Sequence, residues 1–287
     1  TMKIVTDSAA DLTIEEVQAL DIEVAPLFIQ FPEGEVDSRD ISPDEFYNRL
    51  EAMSPHIPTT AQPSAGIFQQ LYQKFVDVGE DVMSLHISSG LSGTIQSARM
   101  GAAQLSRGVV EIVDTMTLSG GERFQVLAAA FAARAGCEKA QILDKLQKIR
   151  AATEVIYTLE TLEYLRHGGR IGRVQALAGA LLKIKPIIRV EHTDGKYSTV
   201  GKERTIRGSL EAIMRHLGKL YPADVPLWVT VLHGRFEEQA RQLADLLQAG
   251  FNVKKLEILR ISPILGVHPG PGIVGVAVVP YELMGVD

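Results

Sequence analysis

Ser89-Gly90-Leu91-Ser92-Gly93-Thr94 sets hydroxyls among glycines, between an apolar run at 82–88 and the helical pattern IQSARMGAAQL. Free N–H groups at a helix start, together with the helix dipole, form an anion site. The glycines would let a ligand approach the backbone, and Ser92 and Thr94 add donors; a tight serine-capped turn accounts for the same residues. Thr59-Thr60-Ala61-Gln62-Pro63-Ser64 offers further hydroxyls before another helical run, and simple capping by Ser64 explains it when taken singly. The two turns could face each other across a sheet edge, where ligands of open α/β sheets settle. Residues 163–173 (EYLRHGGRIGR) gather Arg166, Arg170, Arg173 and His167 around glycines. Guanidinium pairs bidentately with carboxylate or phosphate. The same residues also fit a helix C-terminus with a glycine stop and a basic last turn.

His268-Pro269-Gly270-Pro271-Gly272-Ile273-Val274-Gly275 contains a G-x-G-x-x-G spacing. A dinucleotide site needs a helix after that motif and an acid about 20 residues on. Here the strand-like VAVVP follows, so the stretch reads as a rigid loop presenting His268. No G-x-S-x-G, Walker A or H-E-x-x-H pattern occurs. The 7 histidines are scattered without metal-ligand spacing, so neither a metal nor a cofactor is expected. Asp7 and Asp114 read as strand-end turns and Asp11 as a helix start, rather than as acids or bases. Cys137, the single cysteine, follows an alanine-rich helical run and reads as a packed or half-exposed thiol.

Strand and helix patterns alternate through the first half. KIVTDSA, the β-rich 22–31, VMSLHIS and VVEIVD are strands. Thr13 with Glu16, Ser42 with Pro43, and Ser64 start helices. Residues 121–150 read as two helices broken near Gly136. Such alternation argues for a parallel sheet covered on both faces. In the second half the strands crowd together: 184–190, 196–205, 226–232, 256–262 and 275–280, with helices near 206–220 and 235–249. The expectation is an α/β protein of two domains. Residues 1–152 form a three-layer α/β domain with a mostly parallel sheet. Residues 153–287 form an α+β domain with a mixed or antiparallel sheet.

A chain of 287 residues can bury a full core, and 46% hydrophobic content leaves room for an apolar cavity. The net charge of −6 and the mixed signs of GKERTIR at 201–207 argue against a nucleic-acid partner. No run approaches 18 apolar residues, so no integral membrane association is expected. The N-terminus carries no signal-peptide pattern, and the expected location is cytoplasmic.

Taken in order, TDSAADL at 6–12, TTAQPS at 59–64, ISSGLSGT at 87–94, EYLRHGGRIGR at 163–173, LLKIKPI at 181–187 and ISPILGVHPGPG at 261–272 resemble the DegV family over almost the whole chain. The resemblance implies a non-catalytic carrier that binds one long-chain fatty acid in a tunnel between two domains. The ligand-binding set it implies is Thr60, Ser92, Gly93, Thr94, Arg170 and His268. Thr60 and Ser92 would hold the carboxylate, with Arg170 and His268 close by. It also implies a partner, an ATP-binding fatty acid kinase subunit that phosphorylates the bound carboxylate to an acyl phosphate. At about 0.8 kcal/mol per buried methylene, about 14 methylenes give roughly 11 kcal/mol before ordering costs, so the tail should dominate affinity. Ala61 stands where the family usually has serine, and Pro269 where it has threonine. Residues 114–123 resemble D-S-x-x-x-S-x-G-x-G but carry Thr115 and Arg123, the latter a large charge at a glycine position that bears on the shape of that turn. Two rival readings remain: a regulatory module for another anionic lipid or metabolite, and a hydrolase or phosphotransferase using Ser92, His268 and an aspartate.

Overall fold

The computed structural model describes residues 2–178 and 183–286. Thr1, residues 179–182 and Asp287 lie outside the described residues, and with them Leu181 and Leu182 of the LLKIKPI stretch. The strands of the first half are β1 (Met2–Asp7), β2 (Glu23–Ala25), β3 (Phe28–Phe31), β4 (Gly34–Asp37), β5 (Thr59–Ala61), β6 (Asp81–His86) and β7 (Val110–Asp114). Those of the second half are β8 (Glu154–Leu159), β9 (Lys185–Val190), β10 (Tyr197–Glu203), β11 (Leu227–His233), β12 (Val253–Arg260) and β13 (Ile273–Pro280).

They form three sheets. A 4-stranded, wholly parallel sheet has the order β2-β1-β6-β7. A 3-stranded antiparallel sheet has the order β4-β3-β5. The third is 6-stranded, β10-β9-β8-β13-β11-β12, with β11 and β12 parallel and its other pairs antiparallel. The expected α/β class, with a parallel sheet first and a mixed sheet second, is what the chain adopts. Three strands go beyond the sequence reading. β8 is one of them, although it lies inside the mixed sheet. β4 is another, folded back on β3 through the turn before Gly34. The third is β5, where a pre-helix turn was expected.

Local chemistry sets the helix ends. Thr13 and Glu16 close a reciprocal capping box, Ser42 caps a helix with Pro43 in its first turn, and Ser64 caps the helix Ala65–Asp77. Asp11 is not the helix start expected of it: Thr13 takes that role, and Asp11 adopts φ 50 just before it. The break near Gly136 is real, with Gly136 at φ 79 between the helices Ser119–Arg134 and Lys139–Ala152.

Helix Ser119–Arg134 lies between the parallel and mixed sheets, touching β1 and β6 on one side and β8 and β13 on the other. Small residues make this possible. A Cβ on Gly120 would stand 2.5 Å from Ala277, and one on Gly121 2.6 Å from Val155. Ala128, Ala129, Ala130 and Ala132 are buried along the same helix. One apolar core therefore runs through both halves, from Met83 and Leu85 through Phe124 to Trp228 and Ala277. Helices Ala65–Asp77 and Thr94–Ala103 cover the outer face of the parallel sheet. Helices Ile206–Leu220 and Glu237–Gly250 cover that of the mixed sheet.

Glu122 is fully buried on the central helix. Thr6 donates to its Oε1 at 3.3 Å, while its Oε2 has no partner among the described residues. Burial, and then the charges of Asp7 and Asp11, hold its carboxyl well above the usual range. A carboxyl raised in the folded state loses stability as pH climbs past its unfolded value. Glu122→Gln keeps an acceptor for Thr6 and removes that penalty. It should raise the midpoint of thermal unfolding at pH 7, and the gain should fade as pH falls toward the ordinary glutamate range. A pH series of melting curves for the two proteins checks this.

Candidate functional site

β1 and β6 are neighbours at the point where the parallel sheet reverses its strand order. Crevices at carboxyl ends of this kind are where open α/β sheets take ligands. Ala9, just past β1, and Ile87, just past β6, line a cavity of about 300 Å³ there. Ligand pockets run from roughly 300 to 1,000 Å³. The walls come from both halves of the chain: Leu27, Leu91 and Leu118 from the first, Leu159, Ile188, Ile264 and Ile273 from the second.

Polar groups collect in one part of this apolar space. The small antiparallel sheet brings Thr60 in, paired with Ile29 of β3. The turn after β6 brings Ser92, and the loops around 170 and 268 bring Arg170 and His268. Thr60 Oγ1 lies 3.1 Å from His268 Nε2. Burial, and then the nearby Arg170 charge, push His268 down to about 3, so its ring is neutral at physiological pH. The cationic member is Arg170. It donates to the Gly168 carbonyl at 2.7 Å and, among the described residues, pairs with no carboxylate. Gly168 also sets the imidazole, because a Cβ there would stand 2.6 Å from Nδ1. The proline-flanked loop turns at Gly270, φ 77, and so presents His268 as the sequence suggested.

The expected residues do not all play one part. Ser92 lines the cavity, and its Oγ lies 2.8 Å from Thr94 Oγ1 and accepts from the Thr94 N–H at 3.2 Å. Thr94 is fully buried behind Ser92 and does not reach the cavity wall. Gly93 lies instead in an adjoining polar groove of about 590 Å³ with Ser89, Gly90, Arg173 and Lys196. That groove shares Leu91, Ser92, Arg170 and Tyr197 with the cavity, so it opens at the polar end. Of the three arginines read as a clamp, Arg170 alone lines the cavity. Arg166 is exposed in the last turn of a short helix that stops at Gly168, and Arg173 forms an ion pair with Asp194 at 2.8 Å. Ala61 and Pro269, the departures from the family pattern, both line the cavity and make its wall more apolar there.

Sequence reasoning missed four polar lining residues: Gln62, Ser119, Tyr157 and Tyr197. Gln62 bridges the two turns, covering Gly93 and donating to Ser97 Oγ at 3.3 Å. The tyrosines lie in strands, where aromatic residues read as core.

The hydrolase reading finds no geometry. Among the described residues His268 Nδ1 has no hydrogen-bond partner and no aspartate orients the ring, and its other nitrogen faces Thr60 rather than Ser92. A Ser–His–Asp chain does exist elsewhere. Ser84 Oγ lies 2.7 Å from His86 Nε2, and His86 Nδ1 lies 3.0 Å from Asp7 Oδ2. Ser84 and His86 are 0% exposed and Asp7 1%, and Tyr72 donates to Ser84 at 2.8 Å. No substrate reaches that serine; the chain ties β1 to β6. Among the described residues no cluster of His, Cys, Asp and Glu could hold a metal ion. No helix of these residues is long and apolar enough to cross a membrane.

Comparison with known proteins agrees with this architecture. The DegV family model, described as covering uncharacterised proteins, matches residues 1–281. A DegV domain-containing protein of Deinococcus radiodurans is 37% identical over 260 residues, 91% of this chain and 90% of that protein. A solved Thermus thermophilus structure, described as fatty acid binding of a DegV family protein, superposes with a TM-score of 0.91 at 29% identity. It covers 97% of this chain and 99% of the other. DegV of Bacillus subtilis, described as a fatty acid binding protein, gives 0.88 at 26% identity and covers 97% of this chain and 98% of its own. With the matching fold, the ordered motifs and a family match over nearly its full length, this chain belongs to the DegV family.

Proposed function

We propose that this protein binds one long-chain fatty acid, with its carboxylate at Thr60, Ser92 and Arg170 and its tail along the apolar cavity. One observation carries the reading. Arg170, a cation without a carboxylate partner among the described residues, stands at the polar end of a mostly apolar cavity. Guanidinium and hydroxyl donors suit a carboxylate. Neutral His268 adds a hydrogen bond to Thr60 and no charge. Thr94 acts through Ser92 as a positioning residue, and Gly93 leaves room at the mouth. The fatty-acid-binding neighbours from Thermus thermophilus and Bacillus subtilis support the same ligand class.

In this reading the protein is a non-catalytic, cytoplasmic subunit that needs no cofactor. The bound acid is presented to a separate ATP-binding kinase, which converts it to an acyl phosphate. The polar groove outside Ser92 and Arg170 gives a phosphoryl donor a route to the carboxylate. The two domains divide near residue 152, where the helix Lys139–Ala152 ends and β8 begins. The apolar walls weigh against a module for small polar metabolites.

Titrating delipidated protein with palmitic acid tests the binding claim. Saturation at one equivalent is expected, and no uptake of any long-chain acid would end the proposal. Thr60→Val and Ser92→Ala should each weaken binding only several-fold, since a hydrogen bond contributes about 1 kcal/mol. Ser92→Ala should slow phosphorylation by the kinase more than it weakens binding. Full-rate phosphorylation of the Ser92→Ala complex would remove Ser92 from presentation.

A further inference from the structure

The cavity carries a second set of polar atoms that the carboxylate does not use. Tyr157, on β8, is 4% exposed, lines the cavity, and has a hydroxyl with no hydrogen-bond partner among the described residues. Burial pushes the phenol up and the nearby Ser119 pulls it down, yet no partner among the described residues meets hydrogen-bond geometry with that hydroxyl. Ser119 is 1% exposed, lines the same cavity, and donates its proton to Asp11 Oδ2 at 2.6 Å. Asp11 is held in turn by the Ser262 N–H at 2.9 Å. The donor and acceptor inventory is therefore specific. Tyr157 keeps a free O–H, and Ser119 Oγ keeps free lone pairs because its own proton is committed to Asp11. Neither residue hydrogen-bonds to Thr60, Ser92, Arg170 or His268 among the described residues.

We propose that Tyr157 and Ser119 form a hydroxyl-recognition subsite in the acyl cavity, so that the protein prefers long-chain fatty acids hydroxylated along the chain. The inference rests on the fatty-acid reading above and deepens it. A ligand hydroxyl accepts from Tyr157 and donates to Ser119 Oγ, satisfying both. A keto oxygen can only accept, and an alkene does neither. An unsubstituted methylene chain leaves the Tyr157 hydroxyl buried and unpaired, which is the penalised state. A site built to pair with a hydroxyl discriminates strongly against an analogue that lacks it.

The test is competitive binding of stearic acid against a positional series of monohydroxylated stearic acids, on wild-type protein and on Tyr157→Phe. At least one positional isomer should bind wild-type protein roughly tenfold tighter than stearic acid. In Tyr157→Phe, which keeps the ring and removes the hydroxyl, that ratio should collapse toward one. If stearic acid binds and no isomer exceeds it, the subsite is wrong and the fatty-acid reading stands. A preference that survives intact in Tyr157→Phe also overturns the assignment. If neither stearic acid nor any isomer binds wild-type protein, the parent reading falls and takes this one with it.

Discussion

Arg123→Ala is expected to lower stability by about 3 kcal/mol, measured by urea unfolding at neutral pH. Arg123 is 0% exposed on the central helix. Its guanidinium grips Glu16 on the first helix through Nε and Nη2, Glu257 on β12 at 2.9 and 3.1 Å, and Thr230 Oγ1 on β11 at 3.1 Å. Burial pushes the Glu257 carboxyl up, but the hydrogen bonds and charge of Arg123, joined by the Trp228 N–H and the Lys255 charge, together hold it at about 2. Removing one partner of a buried pair typically costs about 3–5 kcal/mol, because the remaining charges stay behind unpaired. The low end applies, since the Glu16 and Glu257 side chains keep 20% and 19% exposure. Replacing all three together, Arg123→Leu with Glu16→Gln and Glu257→Gln, should recover most of the loss, because the orphaned charges then disappear. A single Arg123→Ala variant within about 0.5 kcal/mol of wild type would contradict the account, that being the usual scatter of inert surface changes. The cluster also answers what a large charge does at a glycine position of the family pattern. Arg123 does not line the cavity; it straps the two halves together across the central helix.

Ala61→Trp should abolish measurable binding of long-chain fatty acids, a loss of at least about a hundredfold, with unfolding of the ligand-free protein little changed. Ala61 is half-buried on β5, at the edge of the small sheet, and forms part of the cavity wall. An indole there fills the space the chain would occupy, whereas the core behind it need not repack. Each methylene kept out of the cavity forfeits about 0.8 kcal/mol, so excluding only a few reaches that loss. The contrast with Thr60→Val and Ser92→Ala is the informative part. If the head-group variants weaken binding more than the blocked cavity does, the carboxylate contacts dominate affinity and the division of labour proposed for the tail is reversed.

The sequence carried the fold class because periodicity and caps are local signals. Thr13 with Glu16, Ser42 with Pro43, Ser64 and the Gly136 break all act within a few residues, and all appear where read. β8 went unread because EVIYTL is buried on both faces and shows no alternation of polar and apolar residues. β5 was hidden for a different reason: three residues pairing with β3, 29 to 33 positions away, leave no local mark. At the site, Ser92, Arg170 and His268 stood out through unusual neighbours, chiefly glycine and proline. Thr94 shared the motif but faces the interior, a matter of rotation at a helix start that spacing does not encode. Tyr157, Ser119 and Tyr197 converge from β8, the central helix and β10, so tertiary packing alone assembles them.

The most direct test of the central claim is denaturing organic extraction and mass spectrometry of the protein purified from a bacterial host. The account predicts a near-stoichiometric long-chain fatty acid in the extract. An empty extract, together with no binding of added fatty acids, would contradict it and leave the cavity to another ligand class.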